Sequence, residues 1–177
     1  MLAGRPERLR SPMHRRALLV TLAAAGLVLT ACGPSKKAQE NLSIADAFMA
    51  KNAKEPGVVT LPQGLQYKVV RDGPQGGLHP TQADEVKVHY EGKLLDGTVF
   101  DSSYERGVPA VFPLDGLVPA WVIALQRMKA GDEWILYVPP ALGYGAQDKG
   151  PIPGNSVMIF KIELLDVNRL GPGKPKE

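Results

Sequence analysis

The sequence predicts a β-rich domain that contains one short helix. Gly (19) and Pro (16) are so frequent among the 177 residues that many turns are expected. Residues 85–95 alternate between apolar and polar side chains, with Val86, Val88 and Tyr90 on one side, as in a half-buried strand. In residues 119–128 the apolar side chains recur at helical spacing on a single face.

Composition and charge exclude several classes of protein. Hydrophobic residues make up 44% and charged residues 22%, which excludes disorder throughout and a polytopic membrane protein. The net charge is +3, but residues 1–31 hold five arginines against one acid, so the remainder carries −1. The basic character belongs to the leader, and nucleic acid is not an expected partner.

The leader has the features of an export signal. Residues 17–31 are uncharged, and 15 residues are too few for a membrane span of about 20 but fit a secretory signal core of about 7–15. Translation starts at Met1 or Met13; both starts keep this core. The only cysteine, Cys32, cannot form an internal disulfide, so the fold must depend on its apolar core.

Residues 29–32, Leu-Thr-Ala-Cys, resemble the lipobox of bacterial lipoproteins. The resemblance implies cleavage after residue 31, acylation of Cys32 (palmitate among the acyl chains) and a lipid anchor in the membrane. Gly33 stands where an Asp would favour the inner membrane, so the expected location is the periplasmic side of a Gram-negative outer membrane. The alternative is an ordinary signal peptide followed by an unpaired cysteine.

Residues 32–57 are predicted to form a tether with a short helix at 44–49. Ile44, Ala47 and Phe48 would share one face, Ser43 would cap the helix, and Pro56 would end it. We interpret the face as a small packing surface, with an oligomer seam as the alternative.

The domain is predicted to cover residues 58–168 and to be followed by a disordered tail, 169–177. Asp96-Gly97 predicts a hairpin turn, and the helix starts at a proline and ends before Gly131. The predicted strands are 65–70, 85–95, 98–101, 133–138 and 157–167, and the predicted long loops are 73–83 and 139–155.

The common catalytic and metal-binding motifs are missing from the sequence. It contains no HExxH, CxxC, GxGxxG, P-loop or GxSxG pattern. His79 and His89 are separated and predict surface or structural roles, so neither a metal site nor a cofactor is expected. Apolar and aromatic residues near loops instead predict a shallow apolar pocket.

Four ordered blocks resemble the signatures of the FKBP-type peptidyl-prolyl cis-trans isomerases. They are residues 88–103 (including VHYEG and DGTVFDSS), 116–131 (GLVPAW and LQRMKAG), 137–145 (YVPP and LGYG) and 152–165 (IPGNS and IFKIELL). The resemblance covers about residues 60–167. Residues 48–67 are similar to the end of the long helix of the Mip-like bacterial branch and its entry into the catalytic domain. The rest of that branch's long dimerisation region is not expected here, so monomer and dimer both remain open.

The resemblance implies an α+β fold, a strongly bent antiparallel sheet wrapped around one short α-helix. It also implies a pocket in which Trp121 forms the floor and Arg106 orients Asp101. The residues implied as catalytic are Asp101, Tyr144 and Phe100, and those implied as substrate-binding are Tyr90, Arg106, Leu117, Val118, Trp121, Ile152 and Phe160. The alternative for Phe100, Trp121 and Phe160 is a plain core role, whereas Tyr137 is expected in the core outside the pocket.

The function implied is proline isomerisation in unfolded or partly folded exported proteins, with macrolide FKBP inhibitors as further ligands. Ala110, Ala120, Ile123 and residues 150–151 depart from the family pattern, and Ala110 would remove part of one pocket wall. A chaperone or binding module with the same pocket is the alternative from a different class. A structural lipoprotein that merely retains the fold is another, and the retained Trp121 weighs against it.

Overall fold

The computed structural model describes residues 36–170, which belong to one compact unit. The predicted signal peptide, Cys32 and most of the predicted tail (171–177) lie outside the described residues. The elements in chain order are α1 (Lys36–Asn52), β1 (Val58–Thr60), β2 (Gln66–Arg71), β3 (Glu85–Lys93), β4 (Val99–Ser102), β5 (Ala110–Pro113), α2 (Pro119–Leu125), β6 (Glu133–Val138) and β7 (Met158–Asn168).

The described strands form one antiparallel sheet in the order β1-β2-β6-β7-β3-β4. One edge of β3 pairs along its whole length with β7. Its other edge is divided, because β5 pairs with its first half and β4 with its second. The chain between β4 and β5 therefore leaves the sheet beside the middle of β3, which is where the pocket described below lies.

The β3–β4 hairpin confirms the alternation and the turn predicted from the sequence. Val86, Val88 and Tyr90 are at most 5% exposed. Gly97 has φ of +89°, a left-handed conformation that glycine adopts without strain, and its N–H donates to the Leu94 carbonyl at 3.0 Å.

The core lies between the sheet and α2. Ala124, Leu125 and Met128 are fully buried and pack in one cluster with side chains of β3, β6 and β7. The helix is shorter than predicted, since it ends at Leu125, and Met128 lies in the following turn. This arrangement confirms the predicted class, an antiparallel sheet with a short helix.

The predicted short helix at 44–49 is wrong in extent and in its buried face. The helix α1 has 17 residues, so Ser43 lies inside it and its hydroxyl donates to the Glu40 carbonyl at 2.8 Å instead of capping. Ala38 and Ala45 are buried, whereas Ile44 is 53% exposed. Small alanine side chains let the helix approach the loop at Gly154, which an apolar stripe alone does not reveal.

Two short strands, β1 and β5, were missed because three or four residues carry little periodic signal. Tyr137 is only half-buried and its ring lies 6.1 Å from that of Phe48 on α1, so the expectation of a core role is wrong. Loop 73–83 has no helix or strand, as predicted, whereas 139–155 contains a 3-10 turn at Pro140–Leu142. Nothing helical between residues 36 and 170 is long and apolar enough to cross a membrane.

Candidate active site

A cavity of about 550 Å³ lies between α2, the sheet and the loop that follows β6. Every pocket residue predicted from the sequence lines it, apart from Arg106. The lining residues are Tyr90, Phe100, Asp101, Phe112, Gly116, Leu117, Val118, Trp121, Tyr144, Lys149, Gly150, Pro151, Ile152 and Phe160.

Trp121 forms the floor of this cavity. It projects from the first turn of α2 and is 4% exposed. Tyr90 and Phe160 meet the indole edge-to-face, with ring centroids 5.2 Å and 5.3 Å away, and Phe112 does so at 6.1 Å. Edge-to-face contacts of this kind contribute roughly 0.5–1.5 kcal/mol each, so the floor is rigid before a ligand arrives.

Gly92 allows two walls of the cavity to close on β3. It is paired with Asp101 on β4 and with Phe160 on β7. A Cβ at this position would lie 2.5 Å from Phe100 and 2.8 Å from Phe160. The two phenyl rings are nearly perpendicular, with centroids 5.6 Å apart. They fill the space that a side chain at position 92 would need, so only glycine fits there without displacing them.

Asp101 is the carboxylate at the mouth of the cavity. It accepts a hydrogen bond from the Tyr90 hydroxyl and forms an ion pair with Arg106, and Arg106 Nη2 also donates to the Tyr90 hydroxyl at 3.0 Å. Partial burial acts to raise the pKa of Asp101, but the hydrogen bonds from Tyr90 and Arg106 outweigh it and lower the pKa below its ordinary value. Asp101 is thus a carboxylate at neutral pH, and Arg106 positions it without lining the cavity.

The cavity has hydrogen-bond donors that find no partner within residues 36–170. Among them are the backbone N–H of Val118, just before α2, the buried indole Nε1–H of Trp121, and the hydroxyl of Tyr144, whose residue is 42% exposed. Donors without an internal acceptor at an apolar cavity are available to a bound carbonyl group.

Sequence reasoning missed Phe112 and Lys149. Phe112 belongs to β5, and the alternation of Ala110 and Phe112 between two prolines is a weak local signal for this short strand. Ala110 pairs with Val88 and is not among the residues that line the cavity, whereas Phe112 lines it. Lys149 stands on the rim, where its backbone pairs with Ile152.

The chemistry of the cavity is apolar and aromatic, with few polar groups. Within residues 36–170 no three His, Cys, Asp or Glu side chains group as metal ligands. His89 lies on the opposite face of β3, where its Nδ1 is 2.9 Å from the Ser103 hydroxyl and its ring stacks on Tyr104. The cavity holds neither histidine nor thiol, so it is suited to bind an apolar ring and to orient a carbonyl.

Fold and cavity together define an α+β domain whose aromatic pocket opens between a short helix and an antiparallel sheet. The model of the FKBP-type peptidyl-prolyl cis-trans isomerase family matches residues 76–165, which is half of the chain. The model of the domain amino-terminal to such isomerases matches residues 24–69. The chain belongs to the FKBP-type peptidyl-prolyl cis-trans isomerase family.

Curated relatives agree with this assignment. The chain is 52% identical over 124 residues to the peptidyl-prolyl cis-trans isomerase Mip of Coxiella burnetii, covering 70% of this chain and 53% of the relative. It is 46% identical over 136 residues to the outer membrane protein MIP of Legionella longbeachae, covering 76% and 58%. The chain thus spans little more than half the length of these relatives.

Two solved structures resemble the fold. The crystal structure of FkpA from Escherichia coli has a TM-score of 0.72 and 44% identity, covering 75% of this chain and 62% of that one. A peptidyl-prolyl cis-trans isomerase from Pseudomonas syringae has a TM-score of 0.70 and 33% identity, covering 77% of this chain and all of the other.

Proposed function

We propose that this protein is a peptidyl-prolyl cis-trans isomerase that acts on X–Pro bonds in exported proteins. The observation that carries the proposal is the cavity itself: an aromatic floor at Trp121, a carboxylate at its mouth and free donors at its rim. Family membership supports it, and so do the Coxiella burnetii and Pseudomonas syringae relatives, which are both named as peptidyl-prolyl cis-trans isomerases.

The reaction needs no nucleophile. Rotation about a peptide bond faces a barrier of about 18–20 kcal/mol because amide resonance must be lost. The twisted amide separates less charge than the planar amide, so an apolar and water-poor cavity favours the twisted form. Trp121, Phe100 and Phe160 would enclose the proline ring, while Tyr90, Leu117 and Ile152 complete the walls.

The polar groups would act on the carbonyls around the proline. By analogy with the family, the Val118 N–H would hold a carbonyl of the segment after the proline. The Tyr144 hydroxyl and Asp101, positioned by Arg106, would interact with the region of the twisting carbonyl. These contacts accelerate rotation only if they are stronger in the twisted state of the amide than in the planar state.

A protease-coupled assay on a short proline peptide tests this function. We expect a single exponential phase whose rate rises linearly with protein concentration, and a loss of more than ten-fold in Trp121→Ala if that variant keeps its circular dichroism spectrum. Macrolide FKBP inhibitors should compete for the same cavity. A folded protein that binds the peptide without accelerating isomerisation would instead be a binding module or chaperone.

We also propose that a lipid anchor at Cys32 holds the protein on the periplasmic side of the membrane. In this arrangement residues 1–31 are the signal peptide, 32–57 the tether, 58–168 the isomerase domain and 169–177 the tail. The lipobox-like sequence supports an envelope location, as does the Legionella longbeachae relative, which is named as an outer membrane protein. Membrane fractionation tests the anchor: Cys32→Ala should move the protein from the outer-membrane pellet to the soluble fraction. Unchanged pelleting would contradict lipid anchoring.

A further inference from the structure

A second cavity of about 570 Å³ lies beside the active site, between α1 and the β3–β4 hairpin. Ile44 of α1 lines one side, and Leu94 and Leu95 of the hairpin line the other. It is as large as the catalytic cavity and lies in the size range of ligand sites in proteins.

The walls of this groove are held in place without a ligand. Asn41 Nδ2 donates to the Gly154 carbonyl at 2.9 Å, and Asn155 Nδ2 donates to the Ala38 carbonyl at 2.8 Å. At the other end of α1, Asn52 Nδ2 donates to Gln66 Oε1 at 2.8 Å. A groove whose walls are fixed in advance binds with a small loss of conformational entropy.

The groove is lined by apolar side chains and by neutral polar ones such as Asn41 and Thr98, and its two charges balance. Ile44 is 53% exposed and Leu95 is 36% exposed, so a ligand that removes these apolar side chains from water binds with a favourable free energy. Lys37 on α1 and Asp96 on the hairpin stand on opposite walls. A groove with one cation and one anion does not select a strongly charged ligand such as nucleic acid or an anionic membrane. It suits a polypeptide segment with apolar side chains.

The groove adjoins the catalytic cavity. Pro151 lines both, on a loop segment that also supplies Lys149 and Gly150 to the active-site rim. The backbone bridge between Lys149 and Ile152 fixes this segment as the ridge between the two cavities. A polypeptide whose proline occupies the catalytic cavity can therefore pass over Pro151 into the groove.

We propose that this groove is an extended subsite that binds the apolar residues flanking the isomerised proline in an unfolded client chain. This inference rests on the proposed isomerase function. It gives the protein a preference that the catalytic cavity alone lacks, because long, unfolded and apolar segments occupy both cavities, whereas short peptides and folded surface loops occupy one.

The test uses the protein expressed from the full chain and three peptides with the same central X–Pro bond. One is a tetrapeptide, one is extended on both sides with leucine and valine, and one is extended to equal length with serine. Cis-trans exchange measured by NMR gives kcat/KM for each. We expect the apolar extension to raise kcat/KM at least five-fold over the tetrapeptide and the serine extension to raise it less than two-fold.

The variant Ile44→Ser/Leu95→Ser should abolish the gain from the apolar extension and keep the tetrapeptide value within two-fold. The control Val59→Ser/Val69→Ser changes two similarly exposed apolar side chains that line neither cavity, and it should keep the full gain. A gain that persists in the groove variant overturns the proposal. So does an equal loss on the tetrapeptide.

Light scattering separates the proposal from self-association. If the groove variant changes the molar mass of the protein, a second copy occupies the groove and the proposal is wrong. If no peptide is isomerised, the proposed function fails. Fluorescence anisotropy of the apolar-extended peptide then tests binding to the groove independently of catalysis. Binding that is lost in Ile44→Ser/Leu95→Ser but kept in the control supports it, and equal binding by both variants overturns it.

Discussion

Replacing Gly92 by alanine should disturb the active site through a single added methyl group. The backbone at Gly92 does not have a left-handed conformation, so alanine introduces no strain in φ. The added Cβ would instead lie 2.5 Å and 2.6 Å from two ring carbons of Phe100 and 2.8 Å from one of Phe160. Ordinary contacts between carbon atoms are about 3.5–4.0 Å, so the rings must move by about 1 Å.

The expected cost follows from this displacement. Overpacking of a well-packed core costs typically about 1–3 kcal/mol. For a protein of this size, 1 kcal/mol lowers Tm by roughly 3–4 °C, so we expect a decrease of about 3–12 °C. Because Phe100 and Phe160 both line the catalytic cavity, kcat/KM on a proline peptide should fall about ten-fold or more. Differential scanning fluorimetry and the protease-coupled assay measure the two effects.

Gly116 provides a matched control in the same cavity. A Cβ added there would meet no heavy atom within 4 Å, and its φ is not positive. Gly116→Ala should therefore keep Tm within about 2 °C and kcat/KM within about two-fold. Equal, near-native behaviour of both alanine variants would refute the argument that Gly92 positions the two phenyl walls.

Three further predictions concern the carboxylate and the N-terminal helix. Asp101→Asn should lower kcat about two- to twelve-fold with a smaller change in KM, since one hydrogen bond contributes roughly 0.5–1.5 kcal/mol; turnover and affinity on one peptide measure it. Because the pKa of Asp101 is lowered in the folded protein, its contribution to stability is complete above its unfolded pKa of about 3.9 and is lost as the pH falls through the lowered value. Denaturant titrations should therefore show a stability gap between the parent and Asp101→Asn at pH 7 that closes below about pH 4, and a gap independent of pH would contradict this role. A chain that begins at Gly57 should lose several degrees of Tm, because Gln66 and Asn155 lose their partners on α1, yet keep kcat/KM on short peptides within about three-fold, since α1 contributes nothing to the catalytic cavity.

The parts of the fold predicted from the sequence are those with a long or specific pattern. Strand β3 shows strict alternation over nine residues, and Asp96-Gly97 marks its turn, so the hairpin was predicted with both faces correct. The cavity residues predicted from the sequence lie in the signature blocks and line one cavity. Arg106 is the exception: it lies outside the blocks and reaches the cavity through Asp101.

The features that escaped prediction depend on contacts between distant segments. The buried alanines of helix α1, Ala38 and Ala45, are seven residues apart, and Gln66 and Asn155 donate hydrogen bonds to backbone carbonyls of the helix. A search for an apolar stripe therefore selects the wrong face. Phe112 lies in a four-residue strand that is held by pairing with β3, and such pairing leaves almost no local signal.

The central claim is that the aromatic cavity accelerates isomerisation and does not merely bind proline. Two-dimensional NMR exchange spectroscopy on a short proline peptide, with the protein at about one-hundredth of its concentration, tests this directly. Uncatalysed exchange takes tens to hundreds of seconds and gives no cross-peaks between the cis and trans signals. The account predicts strong cis-trans cross-peaks in the presence of the protein, greatly weakened for Trp121→Ala. Line broadening and shift changes that report binding, without any cross-peaks, would contradict it.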